Sequence, residues 1–359
     1  MVREPLTETS FDFRCSAPLY FCWIMLTAFL MAGCALPQLF TKTLPQTELQ
    51  TSPQPEGFAR TFPDFIAVIA QPGDTFSSLA SRYLQDPSLD WFIAEFNNIT
   101  YLSPGQELII PFNANEKGGV TPEGYQTVPV ICYHRLSKTT EDKLTVTEKA
   151  FEEQMGFLKR EGYRVITMDE FFDFLDFKRQ IPKKSVVITI DDNWRSAYDI
   201  AFPILKTYGY PATLFLYTDL IRSSDKTLGW EVITEMAKGG IMNIQCHTKT
   251  HRNLVEGIDK ESFNDYFEEV KKELTESAMI LEKHLNTDIK YLAYPYGETN
   301  HLVIAFLKKL GYRGAFTVEK GSNPFFIHHY RIKRSMINGD FDLQDFEKNL
   351  TTRDNRALQ

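Results

Sequence analysis

The chain has 359 residues with 39 basic and 47 acidic side chains, a net charge of −8. That balance excludes a nucleic-acid binder working through a basic surface, and the length fits one small module plus one domain of roughly two hundred residues. Three of the five cysteines (Cys15, Cys22 and Cys34) fall near the N-terminus, so no disulfide framework is defined.

Residues 17–32 are apolar and uncharged, follow Arg3 and Arg14, and are short for a membrane-spanning helix. They end in Met31-Ala32-Gly33-Cys34, with small residues directly before the cysteine, as a signal peptidase requires. This tetrapeptide resembles a bacterial lipobox with Met in place of Leu at its first position; an ordinary signal anchor is the plainer alternative. The resemblance implies a signal peptide over residues 1–33, lipidation of Cys34 and attachment to a membrane of the cell envelope. Ala35 in place of Asp implies the periplasmic side of the outer membrane in a Gram-negative host. The n-region is long and acidic, with Glu4, Glu8 and Asp12. Residues 34–64, rich in Pro, Gln and Thr, read as a flexible tether.

A compact unit follows over residues 65–112. It has a strand at residues 65–70, a Gln71-Pro72-Gly73-Asp74 turn, helices from Thr75 to Tyr83 and around Leu89 to Asn97, and a closing strand at residues 107–110. Asp74 or Thr75 caps the first helix, and Leu79, Ala80 and Tyr83 form its inner face. Gly73-Asp74-Thr75, Leu79-Ala80, Tyr83, Asn97 and Leu102-Ser103-Pro104-Gly105-Gln106 together resemble the lysin motif (LysM). That resemblance implies a βααβ fold that binds N-acetylglucosamine-containing glycans, with Phe76 and Tyr101 stacking on sugar rings. A purely structural spacer is the alternative. Residues 113–126, rich in Gly and polar side chains, read as a linker.

Over residues 127–347, strand patterns near residues 128–132, 186–190, 212–217, 241–246, 291–294 and 313–316 alternate with helical patterns at 151–160, 197–208, 262–284 and 301–310. Such alternation predicts a parallel sheet or barrel with its site at the strands' C-terminal ends. Residues 348–359 are a tail. The strand Ser185-Val186-Val187-Ile188-Thr189-Ile190 delivers Asp191 and Asp192. Side chains alternate along a strand, so one carboxylate can hold a metal while the other faces a nucleophilic water. A second strand ends at His247, and His251 four residues on predicts two imidazoles on one side of a turn. Two histidines and a carboxylate leave open positions, as catalytic zinc requires. Cys132 and Cys246 read as buried free thiols. A third strand end, Tyr291-Leu292-Ala293-Tyr294-Pro295-Tyr296-Gly297, breaks into a loop.

These three segments, in this order, resemble the motifs of the polysaccharide deacetylase family, the NodB-homology carbohydrate esterases. The resemblance implies an α/β fold with a distorted, incomplete (β/α) barrel. It gives Asp191 the role of base, and makes Asp192, His247 and His251 ligands of a divalent metal, usually Zn2+. Thr248 takes the small hydroxyl position between the histidines, and the backbone N–H of Tyr296 helps to hold the oxyanion. Trp230, within Gly229-Trp230-Glu231, walls the sugar pocket, which Tyr133, Tyr294 and Pro295 also line. Tyr133-His134 resembles the exopolysaccharide branch.

Two departures stand out. Ala293 occupies the position where many members carry an Arg that tethers the base, leaving Arg331 or Arg334 as substitute. No His lies in residues 330–337, where the family supplies its general acid, leaving His328, His329 or His134. The implied activity is removal of N-acetyl groups from an N-acetylglucosamine polymer, either exopolysaccharide or peptidoglycan. The alternative is a catalytically impaired glycan-binding lipoprotein.

Overall fold

The computed structural model describes residues 58–112, 119–222, 224–257 and 261–356. The expected signal peptide, Cys34 and nearly all of the tether lie outside the described residues.

The small module consists of β1 (Ala59–Thr61), β2 (Phe65–Ile69), α1 (Phe76–Leu84), α2 (Asp90–Phe96) and β3 (Glu107–Pro111). β2 pairs antiparallel with both β1 and β3. Thr75, rather than Asp74, caps α1: its side chain accepts the Ser78 N–H, while Ser78 accepts the Thr75 N–H in return. Asp74 instead accepts the Gln71 N–H and pairs with Arg82. Ile66, Val68, Leu79, Ala80, Ile93, Leu108 and Ile110 close a core of their own. The Asn97 side chain bonds the Ile93 carbonyl and both backbone groups of Ile109, clamping α2 to β3.

The larger region opens with β4 (Val120–Thr121), a hairpin partner of β5 (Gly124–Tyr133). The expected linker to residue 126 is therefore ordered into the sheet from Val120. Next come β6 (Arg135–Ser137), β7 (Thr145–Thr147), α3 (Glu148–Arg160), β8 (Arg164–Val165), α4 (Met168–Leu175) and β9 (Ser185–Asp191). Then follow α5 (Phe202–Tyr208), β10 (Ala212–Leu216), α6 (Trp230–Lys238), β11 (Met242–Cys246), α7 (Phe263–Leu285), β12 (Tyr291–Ala293), α8 (His301–Lys309) and β13 (Gly314–Phe316). The chain finishes with β14 (Ser322–Pro324), β15 (Ser335–Met336), α9 (Leu343–Glu347) and β16 (Arg353–Asp354).

Six parallel strands run β5-β9-β10-β11-β12-β13. The sheet curls because the segment after β14 touches both of its ends. Ile332 bridges Phe316 in parallel, and β15 pairs parallel with β5. The result is a partly open barrel. Strand alternation divides its side chains cleanly. Val130, Val187, Phe215, Tyr291, Ala293 and Phe316 fill the interior with Ile332 and α4, while Ile131, Ile188, Ile190, Leu214, Leu216 and Leu292 pack outward under the other helices.

The module rests on the base of this barrel, at the strands' N-terminal ends. Asp90 pairs with Arg164 at 3.0 Å, Glu95 accepts the Lys183 N–H at 2.8 Å, and Arg179 donates to Ser88 Oγ at 3.2 Å. Partial burial in this contact raises the Glu95 pKa above its ordinary value, against the lowering effect of the Lys183 N–H. A cleft of about 480 Å³ lies between the two, walled by Trp91, Phe92 and Phe96 on one side and by Phe174 and Lys184 on the other.

Candidate active site

Asp191 closes β9 with the inward parity of Val187 and Thr189, so its carboxylate enters the barrel and only 2% of its surface stays exposed. A buried carboxylate needs a partner. It finds one in Arg334, on the segment that bridges β13 and β5. The guanidinium is 0% exposed and donates through both terminal nitrogens, each at 2.7 Å, to the two Asp191 oxygens. Its Nε donates to the Thr317 carbonyl, and its planar head lies near the rings of Phe215 and Phe316. Arg334 thus supplies the tether that Ala293 lacks, while Arg331 is exposed. Burial alone would raise the Asp191 pKa; the Arg334 guanidinium, paired with it through two hydrogen bonds, outweighs that effect and holds the carboxyl well below its ordinary range.

One residue on, the chain turns into the left-handed region at Asp192 (φ 72°), which separates its carboxylate from that of Asp191. Asp192 Oδ1 lies 3.8 Å from His247 Nε2 and 3.7 Å from His251 Nε2. Its Oδ2 accepts the Trp194 indole N–H at 3.1 Å. His247 is held by the carbonyl of Ala293, 2.8 Å from Nδ1. A carbonyl can only accept, so the proton sits on Nδ1 and Nε2 is left as a free lone pair. Burial lowers the His247 pKa, favouring the neutral form a ligand needs. Donors around a tetrahedral zinc at about 2.0–2.1 Å stand roughly 3.3–3.5 Å apart. Gaps of 3.7 and 3.8 Å and a donor set of two imidazole nitrogens and one carboxylate oxygen therefore fit such an ion.

The histidine pair is not carried on a helical turn. Thr248 and His251 both have positive φ (70° and 65°), so the loop is irregular and brings the two rings to 4.7 Å at a steep 74° angle. The Thr248 hydroxyl accepts the His251 N–H at 3.2 Å.

His134 follows β5 directly and offers a ring nitrogen within 4.8 Å of both Asp191 and Cys132. Burial lowers its pKa, with Asp191 and Asp192 acting in the opposite sense. His328 and His329 do not reach the site. His328 is exposed, and His329 packs against Phe172 and lies 3.7 Å from Asp176, just past the C-terminus of α4.

Tyr296 is 63% exposed with its ring against His251 (5.1 Å between centroids). Its φ of 60° places it in the left-handed region, and Gly297 completes the turn at φ 76°, where a Cβ would meet Val318 at 2.4 Å.

Several expected pocket residues lie elsewhere. Tyr133 and Tyr294 are both 0% exposed: they have outward strand parity, and their hydroxyls donate to Gln154 and to the Tyr330 carbonyl. Side chains without exposed surface cannot line a polysaccharide pocket. Pro295 is buried too. Trp230 is half-buried and stacks face to face on His284 at 3.8 Å, so one ring face is already covered. In the module, Phe76 leans on the core whereas Tyr101 is 74% exposed.

Tyr217 was not singled out from the sequence, where it reads only as the last residue of a strand. Its ring stands 5.0 Å from that of His251 and 6.4 Å from that of His247, and burial together with the Asp192 charge pushes its phenol up to about 12. The usable signal was its parity with Phe215 at a strand's C-terminal end.

A family model for polysaccharide deacetylases matches residues 178–315. A poly-β-1,6-N-acetyl-D-glucosamine N-deacetylase of Staphylococcus epidermidis is 33% identical over 201 residues, covering 55% of this chain and 69% of that protein. A Streptococcus pyogenes deacetylase solved with acetate superposes with a TM-score of 0.57 at 26% identity, covering 63% of this chain and 98% of that one. A polysaccharide deacetylase from Bacillus cereus gives 0.53 at 25% identity, covering 69% and 72%.

Proposed function

We propose, for a chain that belongs to the polysaccharide deacetylase family and is a polysaccharide N-deacetylase, that its substrate is a β-1,6-linked N-acetylglucosamine exopolysaccharide and that it works with a divalent metal, Zn2+ being the best fit. The observation that carries this reading is the pairing of a buried, Arg334-tethered Asp191 with an adjacent Asp192, His247 and His251 donor set. The staphylococcal relatives favour the exopolysaccharide over peptidoglycan.

Asp192, His247 and His251 would hold the ion, which when bound supplies Lewis-acid polarisation of the acetyl carbonyl and a more acidic water. Asp191 stays ionised at any physiological pH because Arg334 faces it, so it is always ready to accept the water's proton. The Tyr296 N–H lends a hydrogen bond to the developing oxyanion. His134, beside Asp191, passes a proton to the departing amine nitrogen, and acetate and a free amine are released. The impaired-scaffold alternative rests on the missing Arg and His; on this reading Arg334 takes the place of the first and His134 that of the second.

The test is acetate release from poly-β-1,6-N-acetylglucosamine oligomers and from peptidoglycan, with and without chelator. Chelation should abolish release and added zinc restore it, with peptidoglycan inert. Release that survives full metal removal would sink the metal reading, and release from peptidoglycan alone would sink the substrate assignment.

The module supports assignment as a lysin motif through the βααβ order of β2, α1, α2 and β3, to which β1 adds an edge strand, and through the Asn97 clamp. We further propose that it binds the glycan through Tyr101. β9 by itself spans about 20 Å between the module's contact surface and the site. Tyr101→Ala should therefore weaken retention on polymer by about 3- to 10-fold, the worth of roughly 1 kcal/mol of ring stacking. Turnover of a short oligosaccharide should be unchanged; equal retention by the variant and the parent would refute the assignment. Lipidation at Cys34 and placement at the periplasmic side of an outer membrane remain part of this proposal, resting on the lipobox-like sequence.

A further inference from the structure

Glu273 sits in the middle of α7, in a stretch where Lys271, Lys272 and Glu276 keep to the partly exposed side, yet it is only 2% exposed. A buried carboxylate survives only with full hydrogen bonding. Its partners come from one place, the loop between the two histidines. Oε2 accepts both the Lys249 N–H at 2.8 Å and the Thr250 N–H at 2.9 Å, and Oε1 accepts the Thr250 hydroxyl at 2.6 Å. Two consecutive backbone N–H groups converging on one oxygen form an anion-binding concavity, here filled by the protein's own side chain.

The two residues bracketing that pair, Thr248 and His251, are the ones with positive φ. Non-glycine residues keep such angles only where surrounding contacts over-determine them. The Thr248 hydroxyl contributes one contact from within the loop, the Thr218 and Asp219 N–H groups donate to the Thr248 and Lys249 carbonyls at 3.3 and 2.9 Å, and Lys249 Nζ adds surface pairs to Asp219 at 3.0 Å and to Glu276 at 3.9 Å. Glu273 is the buried contact that joins the loop to a helix anchored in the core.

We infer that Glu273 is a positioning residue for metal binding: it holds the Lys249-Thr250 peptide so that His247 and His251 present their Nε2 atoms together. The inference rests on the metal reading of the site. Glutamine at this position can reproduce the pattern, its oxygen accepting both N–H groups and its amide donating to the Thr250 hydroxyl. Leucine fills the space and satisfies none of them.

The experiment is a zinc titration against a competing chelator, without substrate, on the full-length chain and its Glu273→Leu, Glu273→Gln and Thr250→Val variants, with thermal melts of each metal-free protein. Glu273→Leu should bind zinc about 10- to 100-fold more weakly, the usual cost of losing a group that orients a ligand, and Glu273→Gln within about threefold of the parent. Thr250→Val removes one of the three bonds at an exposed residue and should fall between them, which keeps the test alive if the leucine variant fails to fold. Parental affinity in both Glu273→Leu and Thr250→Val, or equal weakening by Gln and Leu, would overturn the role of Glu273 while leaving the metal site intact. A parent that binds no zinc would overturn both readings.

Discussion

Replacing Arg334 by methionine is expected to cost about 3–5 kcal/mol of stability, because it strands the Asp191 carboxylate in the barrel interior without a counter-ion. For a domain of this size that is a fall in melting temperature on the order of 10 °C. The pH dependence has a definite sign. In the parent, the Asp191 pKa is depressed relative to the unfolded chain, so the pair's contribution is fully present above the ordinary carboxylate range. That contribution fades only as pH falls through the lower folded value. Without Arg334, burial loses the largest charge that opposes it, and that pKa rises. The acidic limb of the kcat/KM profile should then move toward neutral pH, and activity should recover in part as pH is raised. Arg334→Lys keeps the charge but not the two-pronged contact, and should give a smaller shift in the same direction. An unmoved acidic limb in the methionine variant, measured on refolded and metal-replete protein, would rule out Arg334 as the group that sets the basicity of Asp191.

Asp191→Asn should lower kcat by about 10²–10⁴, the range expected on losing a general base, with little change in zinc affinity. The division follows from geometry. Asp191 spends both oxygens on Arg334, whereas Asp192 is the carboxylate within 3.7 and 3.8 Å of the histidine nitrogens. Asp192→Asn should show the opposite pattern, with metal affinity lost first. The pair of variants is therefore more informative than either alone: kinetics and metal titration must disagree in opposite directions. If Asp191→Asn retained activity within tenfold of the parent, the base would have to be sought elsewhere, with His134 as the neighbour in reach.

Much of this protein could be read from the chain. The alternation of strand and helix patterns gave the parallel order, because local periodicity records which face each element buries. The six core strands fall within a few residues of their expected places. The Asp191-Asp192 pair and the His247–His251 spacing were visible for the same reason: residues adjacent in sequence stay adjacent in space at a strand's end. The small module was legible through Thr75, Leu79, Ala80 and Asn97, each acting within a few residues of itself or across one strand.

What sequence left open is what depends on contacts between distant segments. Arg334 and Arg331 were equivalent candidates until the barrel closed, since Ile332 pairing with Phe316 and Ser335 with Ile131 decide which arginine turns inward. The burial of Tyr133 and Tyr294 was missed because aromatic residues at strand ends look alike in sequence whether their parity is inward or outward. Glu273, 24 residues beyond Lys249, was invisible as a partner of the metal loop. Local propensity and periodicity determine the elements and the ligands they carry. Only tertiary closure decides which buried charge meets which, because in a low-dielectric interior a charge is stable solely where a partner arrives from elsewhere in the chain.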